Sequence, residues 1–246
     1  MSRYDFTAQR LFVDADLGAQ TEVACTPAQS NYLRNVLRLK PGDAILAFNG
    51  RDGEWRAEIA DASKRTTTLA ITEQVRPQAG GPDIDYLFAP LKRARLDYMV
   101  EKATEMGVAR LRPVLTRRTT PERVNTERML THAIEAAEQC GILRIPQIVP
   151  PEKLERVIAG WDPARPLVFC DEDSAEACPF TALARIAPGP VAVLVGPEGG
   201  FDPGERELLS SQPFIMRISL GPRILRADTA AVAALALVNA ALGDWR

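Results

Sequence analysis

The sequence is poor in the residues that build metal sites and disulfides. Its four cysteines form no Cys-x-x-Cys pair and stand at positions 25, 140, 170 and 178; its one histidine is His132. A zinc site takes three or four Cys or His ligands at close spacing. We therefore expect no metal, buried and reduced thiols, and a surface or packing role for His132.

Long hydrophobic runs and a strong net charge are also lacking. The longest apolar stretch, residues 230–238, is about half the length of a bilayer span, and the first residues, MSRYDFTAQRLFVDADLG, lack the apolar core of a signal peptide. We expect a cytoplasmic protein with no membrane partner. The net charge of −2 excludes a strongly basic, histone-like protein. Any contact with nucleic acid would have to come from a local basic patch.

What is present is the composition of a globular protein. The 246 residues are 46% hydrophobic and 25% charged, and this length allows one large or two modest domains. The first 75 residues predict several short strands in a small barrel. A short helix is predicted at residues 31–40, with Leu33, Val36 and Leu37 on its inner face and Arg34 and Arg38 on another.

Beyond the linker candidate Gly80-Gly81-Pro82, strands alternate with helices, which predicts an α/β domain with a mostly parallel sheet. Gly107 is predicted to end the first helix. The predicted strands are residues 84–89, 108–115, 166–170, 191–195 and 214–220. The predicted helices are residues 91–106, 121–140, 203–211 and 228–242.

Charge is unevenly distributed along this second part. Residues 92–128 hold ten basic and five acidic side chains, whereas residues 152–207 hold five basic and eleven acidic ones. A basic strip on an acidic chain suits local binding of a polyanion. For any single arginine, a place on a solvated helix face is the favoured explanation. Arg117 and Arg118 stand in a loop, and we expect their removal to weaken binding of such a polyanion without changing the affinity for a ligand of the glycine-rich segments 193–201 and 218–229.

Two glycine-rich segments each follow an apolar strand. The first glycine loop is residues 193–201 and the second is residues 218–229. Loops at the carboxyl ends of parallel strands form the ligand crevice of α/β folds. Neither loop matches G-x-x-x-x-G-K-[ST] or G-x-G-x-x-G, and Glu198 would repel a pyrophosphate. The loops suit a ligand without phosphates, such as an adenosyl group on a sulfonium; two tight turns without a ligand remain the alternative.

Several segments, in order along the chain, closely resemble the motifs of one family, the RsmE family. Its members are small-subunit ribosomal RNA uridine N3-methyltransferases of the SPOUT class. Two positions depart from the usual pattern: Ile142 replaces arginine, and Asp228 replaces glutamate. The matching segments are YLRNVLRLKPGD (residues 32–43), KATEMGV (102–108), EAAEQCG (135–141) with Arg144 and Pro146, LVGPEGGF (194–201) and LGPRILRADTA (220–230).

The resemblance implies both a fold and a reaction. Residues 1–76 would form a PUA-like RNA-binding β-barrel domain and residues 82–246 a SPOUT methyltransferase domain with a C-terminal trefoil knot, joined by a linker at 77–82. The cofactor would be S-adenosylmethionine. The substrate would be N3 of a uridine in 16S ribosomal RNA, free or within the small subunit, and the chain would be a homodimer.

The resemblance also implies site residues. Arg226 would orient the uracil or its phosphate, and Glu198 or Glu105 would be the catalytic base; Asp228 and Thr229 are expected to cap the last helix. The implied cofactor-binding residues are Leu194, Gly196, Glu198, Gly199, Gly200, Leu220, Gly221, Ile224, Leu225 and Thr229. The implied RNA-binding residues are Arg34, Arg38, Lys40, Lys92, Arg117, Arg118 and Arg144.

Three other functions are open on the sequence alone. A SPOUT enzyme could methylate a different RNA atom, such as a ribose 2′-hydroxyl. An RNA-binding ribosome assembly factor could keep the fold without catalysis, although both glycine loops are intact. A nucleotide-phosphate enzyme is disfavoured by Glu198 and by the missing phosphate motifs.

Overall fold

A computed structural model describes residues 7–62, 66–120, 123–174 and 178–245. The chain divides into two compact units. The first comprises Met1–Gly80 and Ala137–Ile145, and the second comprises Gly81–Ala136 and Pro146–Arg246. Residues 137–145 therefore pack with the first unit although they lie far from it in sequence.

The first unit is built on one five-stranded sheet of order β1-β3-β4-β5-β2. β1 pairs with β3 in parallel and the other pairs are antiparallel. The tight turn between β3 and β4 requires glycine at Gly53, because φ is +84° there and a Cβ would lie 2.4 Å from the Arg76 carbonyl oxygen. The strands are β1 (Arg10–Phe12), β2 (Glu22–Ala24), β3 (Ala44–Phe48), β4 (Glu54–Ala62) and β5 (Thr67–Arg76).

The helical segment of this unit differs from its prediction. Helix α1 (Pro27–Asn31) starts earlier, at a capping box formed by Thr26 and Gln29, and continues as one π-helical turn over Tyr32–Val36. The π turn shifts the helical phase, so Val36, predicted to be buried, is 61% exposed. Arg38 follows the helix with φ +59°. Arg34 and Arg38 therefore do not share a helix face.

A buried carboxylate ties the first unit together. Glu54 is 1% exposed and accepts hydrogen bonds from Arg10 Nε at 2.9 Å and Arg76 Nε at 2.6 Å. Arg76 also donates to the Gly141 carbonyl at 2.8 Å. Buried charges persist where they are paired in this way, and this group attaches residues 137–145 to the sheet.

The second unit has the predicted parallel α/β architecture. Its strand order is β12-β10-β11-β6-β7-β8 with β9 beside β7, and every pairing is parallel. The strands are β6 (Ile84–Phe88), β7 (Arg110–Leu115), β8 (Gln147–Ile148), β9 (Glu152–Lys153), β10 (Leu167–Cys170), β11 (Val191–Val195) and β12 (Ile215–Ile218). The helices are α2 (Arg93–Glu105), α3 (Thr126–Cys140), α4 (Leu154–Ala159), α5 (Pro179–Leu183), α6 (Pro203–Ser210) and α7 (Ala227–Leu242).

Hydrophobic clusters cover both faces of this sheet. β6 and β11 are buried at every position, as in a parallel sheet enclosed by helices. One cluster includes apolar residues of α2, α5 and α7, and the other includes residues of α4 and α6. Gly107 ends α2 with φ +75°, as predicted.

Some predictions for this unit need correction. The sequence pattern missed the short elements β8, β9, α4 and α5, because a few residues carry too little periodicity to be recognised. The first two residues of the helix predicted at 121–140 lie outside the described residues. Within the described ranges, no helix combines the length and the apolar character that crossing a bilayer requires.

The cysteines were all expected to be buried, and that expectation is wrong for two of them. Cys140 and Cys178 are exposed, Cys25 is buried and Cys170 is half-buried. Burial raises the pKa of the Cys25 thiol to about 11. It raises the pKa of Cys170 to about 12, so both thiols stay protonated at neutral pH.

Candidate functional site

The carboxyl ends of three neighbouring strands, β10, β11 and β12, surround one cavity of about 300 Å³. Both glycine loops line it, as expected for loops at one edge of a parallel sheet. Its lining residues are Cys170, Asp171, Glu172, Val195, Gly196, Pro197, Glu198, Gly199, Gly200, Phe201, Leu220, Gly221, Arg223, Ile224, Leu225, Ala227 and Ala230. Below it is called the donor cavity.

The first glycine loop is shaped by its own packing. A Cβ on Gly196 would lie 2.4 Å from the Phe201 ring, and that ring packs edge-on against Phe169 with centroids 5.0 Å apart. Gly200 has φ +69°, which an L side chain rarely adopts. Leu194, the remaining predicted residue of this loop, is fully buried in β11 and does not line the cavity.

The second glycine loop presents apolar side chains to the same cavity. Leu220 and Leu225 are partly buried against the core, whereas Ile224 is 97% exposed. Gly221 has φ +102° with open space around it, so its backbone conformation is what requires glycine. Arg226 is exposed and forms no ion pair with any residue that the structure describes.

The expected cap of the last helix is wrong. The N-cap of α7 is Arg226, which makes no side-chain capping bond. Asp228 instead lies inside the first turn, where its Oδ1 accepts a hydrogen bond from the Thr229 backbone N–H at 2.9 Å. Thr229 is exposed and does not line the donor cavity.

A third wall of the donor cavity was missed by the sequence analysis. It follows β10 and consists of Cys170, Asp171 and Glu172. Asp171 is buried and accepts hydrogen bonds at Oδ2 from Arg217, whose Nε lies 2.8 Å away. The available signal was three consecutive acidic residues, 171–173, directly after a predicted buried strand, at the sheet edge where the glycine loops lie.

The other missed residue is Arg95, in the first turn of α2. Its guanidinium contacts Glu198 of the first glycine loop and donates from Nε to Asp228 Oδ2 at 3.1 Å. The Arg95 guanidinium, helped by the Thr229 N–H, holds the pKa of Asp228 below its ordinary value. Among the described residues, Arg95 and not Arg226 is the arginine that pairs with these two acids.

Arg117 and Arg118, predicted RNA contacts, both make bonds within the chain. Arg117 Nη1 donates to Asp202, the N-cap of α6, at 3.0 Å. Arg118 Nη1 donates to the Gly199 carbonyl at 2.7 Å. Their loop is therefore attached to the first glycine loop, and Arg118 supports a wall of the donor cavity.

Two further candidates of this unit lie outside the donor cavity. Glu105 is at the far end of α2, ten residues or about 15 Å along the helix from Arg95, and pairs with Lys102 at 2.7 Å. Lys92 is the N-cap of α2 and is exposed. His132, for which a surface or packing role was expected, hydrogen-bonds through Nδ1 with Glu101 at 2.9 Å.

The other predicted RNA-binding residues belong to the first unit. Arg34 and Arg144 are half-buried, whereas Arg38 and Lys40 are exposed. The Lys40 backbone N–H donates to Asp43 at 2.7 Å, which shapes the turn after the π-helical segment. The side chain of Lys40 is left at the surface.

The chemistry of the donor cavity suits an uncharged or cationic ligand. Carboxylates of Glu172 and Glu198 face it, together with apolar side chains and backbone of glycine residues. Its volume lies at the lower end of the range for small-molecule sites. A nucleoside attached to a positively charged sulfur fits these groups, whereas a pyrophosphate would be repelled.

Comparisons with known proteins agree with this geometry. Residues 80–239 match the model of an RNA methyltransferase domain, and residues 26–72 match that of an RNA methyltransferase PUA domain. The ribosomal RNA small subunit methyltransferase E of Rickettsia conorii is 31% identical, with 94% of each chain covered. That of Synechocystis is 32% identical, over 96% of this chain and 78% of the relative.

Solved structures share the fold over nearly the whole chain. The ribosomal RNA small subunit methyltransferase E of Neisseria gonorrhoeae, bound to S-adenosylmethionine, superposes with a TM-score of 0.87 at 23% identity, covering 97% of this chain and all of that one. A Legionella pneumophila protein in complex with the same cofactor gives 0.84 at 28% identity, covering 96% and 99%. The predicted SPOUT and PUA-like fold class is confirmed.

Proposed function

This chain belongs to the ribosomal RNA small subunit methyltransferase E family, and from that premise we propose that it transfers a methyl group from S-adenosylmethionine to N3 of a uridine in 16S ribosomal RNA. The observation that carries the proposal is the donor cavity. Two glycine loops form it at the carboxyl edge of a parallel sheet, and three carboxylates, those of Asp171, Glu172 and Glu198, line it against one cation, Arg223.

The donor cavity would hold the cofactor through both loops. Gly196, Gly199 and Gly200 offer backbone groups on one side, and Leu220, Gly221 and Leu225 close the other. Ile224 would cover the ligand, because it lines the donor cavity with its side chain exposed. When bound, S-adenosylmethionine supplies a methyl group on a cationic sulfur, ready for transfer to a nucleophile.

The acceptor atom, N3 of uracil, has to be made reactive by groups of the chain. N3 of uracil carries a proton and lies on the Watson–Crick edge, so the base must be unpaired and deprotonated. Of the two candidate bases, Glu198 lines the donor cavity and would take this proton, and its contact with Arg95 would hold it in position. Arg226, exposed and without an ion pair among the described residues, would stabilise the developing uracil anion. Glu105 lies too far along α2 for this role.

We assign RNA binding outside the cavity to residues 1–76 as a PUA-like domain. Its exposed Arg38 and Lys40 and half-buried Arg34 would contact phosphates, with Arg144 adding a further contact. Lys92, Arg117 and Arg118 would contribute from the methyltransferase domain, residues 82–246.

We also propose that the chain is a cytoplasmic homodimer. Helix α7 buries one face in its own core, and its other face keeps Val232, Ala233, Ala236 and Leu237 only half-buried. A helix that is apolar nearly all round is covered on most sides. A second copy over this face would supply that cover.

The test uses small ribosomal subunits from a strain that lacks this protein. The subunits are incubated with the purified chain and labelled S-adenosylmethionine, and the nucleosides are identified by digestion and mass spectrometry. N3-methyluridine at one site supports the proposal. Another methylated nucleoside overturns the substrate. Donor binding without transfer indicates free RNA as the substrate, and absence of donor binding favours an assembly factor.

A further inference from the structure

The second unit has a further cavity, larger than the donor cavity. It lies between the beginnings of α2 and α3 and has a volume of about 1,390 Å³. Residues 91–97 line one side, and Thr120 with residues 123–129 lines the other. It is called the α2–α3 cavity below. Its volume exceeds that of ordinary small-molecule sites.

The floor and the rim of the α2–α3 cavity differ in character. Buried Leu91 and Met129 and half-buried Val124 give it an apolar floor. Lys92, Arg93 and Arg123 stand exposed at the rim. An apolar floor suits the flat face of a base, and a basic rim suits phosphates.

The rim cations Lys92, Arg93 and Arg123 are not ion-paired within the part of the chain that the structure describes. Arg128 of the same cavity, by contrast, binds Asp97 at 2.7 Å. Of the described residues that line the cavity, Glu127 is the one exposed acid beside them. The unbalanced positive charge therefore favours an external anion.

Arg95 lines this cavity and also contacts Glu198, which lines the donor cavity. The two cavities are therefore neighbours, separated by one ion pair. Glu198, proposed above to take the N3 proton, stands at that boundary.

We propose that the α2–α3 cavity binds the target nucleotide of the RNA, with the base over the apolar floor and the flanking phosphates on Lys92, Arg93 and Arg123. This inference rests on the proposed function and adds the location of the acceptor. A base placed here has its reacting edge toward Glu198 and the donor cavity. A second copy of the chain is the competing occupant, but an excess of unpaired cations favours a polyanion over an identical basic surface.

The experiment compares single variants of the full chain. Arg93→Ala and Arg123→Ala remove rim cations, and Arg156→Ala is the matched control, since Arg156 is an exposed arginine of α4 that lines neither cavity. We expect each rim variant to raise the KM for small subunits about five-fold and to reduce the salt slope of binding by about one. The affinity for S-adenosylmethionine and the chain's oligomeric mass should stay unchanged.

Ultraviolet cross-linking to small subunits gives an independent readout. Mass spectrometry should place cross-linked uridine within residues 91–97 or 123–129. Rim variants that behave like Arg156→Ala, with cross-links elsewhere, overturn the inference while wild-type methylation still supports the proposed function. Rim variants that change the oligomeric mass also overturn it, because the cavity is then an interface between copies. Wild-type chain that methylates no RNA refutes the proposed function itself.

Discussion

Nε of Arg95 lies 3.1 Å from Oδ2 of Asp228, and the same guanidinium contacts Glu198. One side chain thereby joins the first turn of α2, the first glycine loop and the first turn of α7. These three segments border the donor cavity or the α2–α3 cavity. Arg95 thus holds in place the carboxylate that we propose as the proton acceptor.

Arg95→Met should lower stability by about 1 kcal/mol at neutral pH, since the pair is only partly exposed. Asp228 has a lowered pKa, so its contribution is present above the ordinary carboxyl pKa and is lost as the pH falls through the lower native value. The difference in unfolding free energy between the wild type and Arg95→Met should therefore shrink below about pH 4. Denaturant unfolding at several pH values measures it.

Asp228→Asn and the double variant complete a cycle for this pair. The two single effects should be non-additive at neutral pH, because either change removes the same bond. Additive effects at neutral pH, or a difference that persists at acidic pH, would contradict this account of Arg95.

Gly196→Ala should destabilise the chain by about 2 kcal/mol, because the new Cβ meets the Phe201 ring and forces it to move. Gly199→Ala is the matched control within the same loop: its Cβ would lie 3.6 Å from Arg118, an ordinary contact. Its effect on unfolding should stay within about 0.5 kcal/mol. Adding Phe201→Leu to Gly196→Ala should restore part of the loss, and equal effects of the two alanines would refute the packing argument.

Arg118→Ala should weaken S-adenosylmethionine binding about five-fold, since a bond worth about 1 kcal/mol to the Gly199 carbonyl is lost. Arg117→Ala should leave that affinity unchanged, because the Arg117 side chain binds Asp202 rather than the glycine loop. Calorimetry of donor binding distinguishes the two. From the sequence, removal of either arginine was expected to leave the affinity for S-adenosylmethionine unchanged. Equal affinities of the two variants would support that expectation against the structural argument.

Glu198→Gln should lower kcat about a hundred-fold, as expected for loss of a general base, whereas Glu105→Gln should stay within about two-fold. Glutamine can still accept a bond from Arg95, but it removes a carboxylate that faces the cationic donor, so Glu198→Gln should also weaken donor binding and its rate is compared at saturating donor. Glu105→Gln should leave the donor affinity unchanged, because Glu105 does not line the donor cavity. Single-turnover methylation of small subunits, with donor binding measured in parallel, tests the assignment. A larger loss for Glu105→Gln would move the proton acceptor to α2.

Much of the second unit was predictable because the sequence patterns that indicate its strands and helices involve only neighbouring residues. The apolar strands, the alternation with helices and the glycine at the end of α2 are all readable from neighbouring residues. The rule that parallel strands gather their following loops at one edge then predicted the meeting of the two glycine loops. The same rule applies to Asp171 and Glu172, which follow β10, but the sequence-based prediction did not include them.

The prediction for the helix of the first unit was wrong because this helix contains a π turn. The Leu37 backbone N–H donates to Tyr32, five residues back, at 3.0 Å. An ordinary helical period places Val36 inside, and a single π turn rotates it outward. The composition of the segment does not distinguish the two periods.

The sequence by itself determined the fold class, the family motifs and the position of the donor cavity, because periodicity and short motifs are properties of adjacent residues. The tertiary structure decided which charges meet. Arg95 and Asp228 are separated by 133 residues, and Arg118 and Gly199 by 81. No pattern along the chain specifies such a pair, since any arginine can bind any carboxylate or carbonyl, and the choice depends on which segments the folded sheet places side by side.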